Sequence, residues 1–122
     1  MPRPDKTWID DWEIGEEPDR ERTVSMELVQ CFSEFWDVAG LDSKAKATRN
    51  RYSGALHALG GYLVEEAMSD DGLRMTTSEL LAEHIDAEGG PLIHPHEQTW
   101  QDEIDMVCRK LYKHLKVQGR IP

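Results

Sequence analysis

Apolar residues recur along most of this chain at helical rather than strand intervals, and from Val24 onward four stretches carry the pattern. Leu28, Phe32, Phe35, Trp36 and Ala39 step by 4, 3, 1 and 3, which puts them on one face of a helix of about Ser25 to Ala39. Gly40 follows, where a helix end calls for positive φ. A second stripe of Tyr52, Leu56, Leu59, Leu63 and Ala67 belongs to a helix of about Lys44 to Met68. Ser69-Asp70-Asp71-Gly72 reads as a turn. Thr76 and Glu79 then stand three residues apart, as a capping box requires, ahead of Leu80, Leu81 and Ile85 in a short helix ending by Glu88. The stretch from Gly89 to Pro95 predicts a rigid, extended link. Pro95 or Thr99 opens the last helix, where Trp100, Ile104, Val107, Cys108, Leu111, Tyr112 and Leu115 repeat in 4-3-1-3-1-3 steps before Gly119.

The middle of the second helix differs from the others. Between Ser53 and Val64 the polar interruptions are Ser53 and His57, so the cylinder is apolar nearly all round and belongs inside the domain. Opposite the large stripe, Gly54, Ala58 and Gly61 form a small one. Each glycine there costs the helix about 1 kcal/mol relative to alanine, so Gly54, Gly60 and Gly61 need a reason. Either a helix or a second subunit packs closely against the small face, or the helix kinks at Gly60-Gly61; we adopt packing.

Residues 1–22 hold no sustained period, and Pro2, Pro4, Pro18 and a run of acids predict an irregular arm ahead of a helical domain of residues 23–122. Trp8, Ile9, Trp12 and Ile14 are out of place in a solvated tail, so part of the arm docks on the domain or on a partner; self-docking is the preferred expectation. The expected fold is all-α, a single domain of four to five helices packed orthogonally or as a bundle. A chain of 122 residues can bury roughly 65% of its unfolded surface and needs no metal or disulfide to fold.

Charge narrows the partners. The net charge of −10 opposes general attraction to phosphate backbones and anionic membranes. Net positive charge is confined to two stretches: Lys44, Lys46, Arg49 and Arg51, and the five cations of residues 109–122. The latter also suit the negative end of the last helix dipole. No run of about 18 apolar residues occurs and the first residues lack the apolar centre of a secretory signal, so a cytoplasmic location with no membrane contact is expected.

The catalytic spacings Gly-x-Ser-x-Gly and His-Glu-x-x-His, the phosphate loop, and Glu-x-x-His are all missing, so neither catalytic residues nor a cofactor are predicted. Paired acids at Glu65-Glu66, Asp70-Asp71 and Asp102-Glu103 read as solvated faces or turns. His84, His94, His96 and Glu97 have metal-ligand chemistry, but Pro95 as a helix entrance explains the same segment, and no metal site is assigned. His57 is expected to be a hydrogen-bonded interior histidine. Cys31 and Cys108 read as buried, reduced thiols, with a disulfide between the first and last helices as the alternative.

Phe32-x-x-Phe35, the basic entrance Lys46-Ala47-Thr48-Arg49-Asn50-Arg51-Tyr52, Thr77-Ser78-Glu79-Leu80-Leu81 and Arg109-Lys110-Leu111-Tyr112-Lys113 follow one another in a suggestive order. Over residues 24–116 this resembles the N-terminal core-binding domain of tyrosine recombinases and phage integrases, a four-helix module that clasps DNA. The resemblance implies phosphate contacts at Lys46, Thr48, Arg49 and Arg51, and no cleavage chemistry. Two functions are therefore expected in order. The first is a non-catalytic interaction module, self-associating or binding another protein through Gly54, Ala58 and Gly61 or through Trp8 and Trp12. The second is nucleic-acid contact through Lys44, Lys46, Thr48, Arg49, Arg51, Arg109, Lys110 and Lys113.

Overall fold

In the computed structural model, which describes residues 3–122, the chain forms helices α1 (Thr7–Asp11), α2 (Pro18–Val38), α3 (Lys46–Ala67), α4 (Thr77–His84) and α5 (Gln98–Val117). There is no strand among the described residues, only an isolated bridge between Asp86 and Gly89. The fold is an all-α single domain. No helix among the described residues is long and apolar enough to cross a membrane.

Helix α3 lies at the centre, packed against α2, α4 and α5. From Tyr52 to Val64 none of its residues is exposed. It runs without a break through Gly60-Gly61, and these two glycines serve packing, against Trp12. The capping box of α4 is formed: Thr76 Oγ1 accepts from the Glu79 N–H at 3.1 Å and Glu79 Oε1 accepts from the Thr76 N–H at 2.9 Å. Gly40 adopts φ 64° after α2, as its position demands.

The N-terminal segment departs from expectation. Residues 3–22 are not an irregular arm: residues 7–11 are helical and the division at residue 22 falls inside α2, which starts at Pro18. Met1 and Pro2 lie outside the described residues. Proline suits a first helical turn, where an N–H has no helical partner anyway. The preceding loop is closed by Glu21, a buried carboxylate that accepts from the backbone N–H groups of Ile14, Gly15, Glu16 and Glu17 at 2.7–3.0 Å. Burial opposes ionisation of Glu21, yet the four N–H donors together outweigh it and hold the carboxyl below its ordinary pKa.

Two further side chains tie the connections down. The Arg20 guanidinium donates to the carbonyls of Ala67, Gly72 and Met75, covering the end of α3 and the turn after it. Buried Gln101 accepts from the Ile93 and His94 N–H groups and donates to the Pro91 carbonyl, which straps the link before α5 onto that helix.

Candidate interaction site

Both halves of the interaction face expected from sequence meet each other inside the chain. The Trp12 ring packs on α3 where Gly60 and Gly61 leave room; a β-carbon at Gly60 would overlap the ring, and one at Gly61 would sit 3.3 Å from its Cδ1. The Trp12 Nε1–H donates to the His57 carbonyl at 2.9 Å. Trp8 stands edge-on to Trp12 and to His57, with centroids 5.8 and 5.1 Å apart, and His57 Nε2 is 2.9 Å from Asp11 Oδ2. Trp8 and Trp12 are 2% and 4% exposed, so neither offers a free surface. Ala58 is half-buried against the core. Gly54 alone faces open space, in a hollow of about 200 Å³ with His94 and Trp100. Trp100, expected on the buried stripe of the last helix, is exposed at the start of α5, its ring 5.3 Å from that of His94.

The outer face of α5, expected from sequence as a basic surface through Arg109, Lys110 and Lys113, also carries apolar area that the sequence reading missed. Ile104, Val107, Cys108, Leu111 and Leu115 point into the core, and the opposite side of the helix carries Met106, Arg109, Lys110, Lys113, Lys116 and Val117. A trough of about 560 Å³ runs along it, lined by the apolar Ala87, Met106, Tyr112 and Val117 and by the cations Arg109, Lys110, Lys113 and Lys116. On the other flank of the Lys110-Lys113-Val117 ridge lies a second hollow of about 350 Å³, reaching Val38 at the end of α2. Val38 and Val117 are 71% and 83% exposed. Lys116 Nζ sits 5.7 Å from the centre of the Tyr112 ring, and Arg109 reaches the Glu88 carbonyl at 3.3 Å. Val117, an aliphatic residue off the buried stripe, was the signal available in the sequence.

His114, on the same flank, has a buried Nε2 with no hydrogen-bond partner. Burial foremost, then the charge of Arg120, lowers its pKa against the opposing pull of Glu34, which keeps the imidazole neutral near pH 7.

The remaining predicted positions are dispersed. Lys44 and Lys46 are exposed at the entrance of α3 and Thr48 is half-buried. Arg49 donates to the Asp42 carbonyl at 3.4 Å, and Arg51 lies 3.8 Å from Glu103 on the first turns of α5. Arg109 and Lys113 stand six and ten residues beyond Glu103, about 9 and 15 Å along the helix axis. His84 lies beside Tyr62, 3.9 Å from Glu66. Among the described residues, no group of three or more His, Cys, Asp or Glu is placed to hold a metal. Cys31 and Cys108 are free and buried. Burial pushes their thiols up to about 11 and about 12; nearby Asp105 and Asp86 add to the rise at Cys108. Both stay protonated and unreactive.

Compared with known proteins, the chain matches no family model, no curated protein and no solved structure.

Proposed function

We propose that the chain is a non-catalytic helical interaction module that docks a protein partner on the outer face of α5. One observation carries this reading: Val38 and Val117, both largely exposed, border two apolar hollows on the same ridge. Adjacent exposed apolar groups rimmed by charge are the usual signature of a partner surface, unlike apolar residues exposed singly. Self-association through the glycine face of α3 has less support, because Trp12 already covers Gly60 and Gly61. The test is a photo-crosslinking residue placed at Val117 in native cells, with Arg22 on the exposed side of α2 as control. Discrete crosslinked protein from position 117 and none from position 22 is the expected result; equal or no labelling at the two positions rejects it.

A second reading, DNA contact of the integrase core-binding kind, is favoured by Lys46 and Arg51 standing exposed where that resemblance implies phosphate contacts, with Lys44 exposed beside them. It requires duplex binding at low salt that fades steeply as salt is added and is lost in an Arg49→Glu/Arg51→Glu variant. No duplex binding at low salt removes it.

A further inference from the structure

The chain carries opposite charge at two places. Residues 65–88 hold eight acids and one base, whereas residues 109–122 hold five cations and no acid. Within the acidic region, the turn after α3 presents Asp70 and Asp71 beside Leu73, which is 41% exposed. Among the described residues, neither aspartate side chain has an ion-pair or hydrogen-bond partner, and the same holds for the side chains of Lys110 and Lys113 on the α5 ridge. An apolar knob with two free carboxylates thus matches an apolar trough with two free ammonium groups.

Resting on the reading of α5 as the docking face, we propose that its occupant is a second copy of this chain, which seats Leu73 in the Met106-Tyr112-Val117 trough and sets Asp70 and Asp71 against Lys110 and Lys113. The apolar lining of the trough distinguishes this partner from nucleic acid, whose phosphates would engage the lysines and leave that lining uncovered. The net charge of −10 opposes the approach of two copies, but its reach is about 8 Å at physiological salt, so contacts at the interface decide. The knob and the trough are different surfaces, so the contact is head-to-tail; copies add on with rising concentration and form a ring only where the rotation between them closes.

Sedimentation velocity on the full chain, over a wide concentration range at physiological salt, tests this. The wild-type weight-average mass should rise with concentration. Lys110→Glu/Lys113→Glu and Asp70→Lys/Asp71→Lys should each weaken association by at least about tenfold. An equimolar mixture of the two should restore it, because each then meets a surface of opposite sign. Circular dichroism of each variant verifies that it is folded. Wild type that stays monomeric at every concentration, variants that associate as wild type does, or a mixture that fails to recover overturns the proposal. Crosslinks from position 117 to a different protein, with a monomeric chain, overturn it while leaving the docking role of α5 intact.

Discussion

Helices α3 and α5 each present an apolar surface to something other than a neighbouring helix, and the two are treated in opposite ways. On α3 the surface is bare backbone at Gly60-Gly61, filled by one rigid ring from the chain's own N-terminal segment and sealed by the Trp12-to-His57 hydrogen bond. On α5 it is aliphatic and flanked by lysines whose stems cover apolar area while their heads stay in water. The first is closed by shape, with no tolerance for an added carbon atom. The second is held open by flexible, solvated side chains. Exposure of Val38 and Val117 is therefore sustainable without a partner, whereas exposure of Trp12 is not.

Trp12→Ala breaks the closed surface outright and should cost about 3–5 kcal/mol in urea unfolding, since a large buried ring leaves a cavity behind. Glu21→Ala strands four backbone N–H groups and should cost about 2–3 kcal/mol. The folded pKa of Glu21 is depressed, so its contribution is present above the ordinary carboxyl value of 4.5 and is lost as pH falls through the folded value. The gap in unfolding free energy between wild type and Glu21→Gln should accordingly narrow below pH 4.5. A paired substitution sharpens the contrast within α3. Gly60→Ala, driven into the Trp12 ring, should lose about 1 kcal/mol net, while Gly54→Ala, with nothing near its β-carbon, should gain up to about 1 kcal/mol from helix propensity. Smallest of all, Val38→Ser with Val117→Ser should change stability by no more than about 0.5 kcal/mol, yet abolish crosslinking from the α5 ridge probed at position 113.

What could be foreseen divides along physical lines. Helices α3, α4 and α5, the Thr76-Glu79 cap and the turn at Gly40 depend on neighbours within a few residues, and periodicity and capping chemistry report those directly. That Gly60 and Gly61 serve packing also followed from their helix cost, whereas Gly54, under the same expectation, has nothing packed against it. Which group fills the space did not, because periodicity reports a need for close approach and not the identity of the neighbour; Trp12 lies 48 positions upstream of Gly60. The N-terminal segment misled for a related reason. Its prolines and acids look like a solvated tail, while its order comes from Glu21 gathering the loop's N–H groups and from tryptophan burial, both of which need the folded chain. The cations of α5 had a sufficient local explanation in the helix dipole, which hid their second property as the rim of an apolar trough.

Because α3 is gripped along its middle by helices and by an indole ring, it cannot slide or rotate without breaking those contacts together. Its central amides should be the slowest in the molecule to exchange with deuterated solvent, releasing only when the whole chain opens. A visitor arriving at the outside consequently meets a stiff plate, and adjustment on docking falls to lysine and methionine rotamers while the backbone beneath keeps its form.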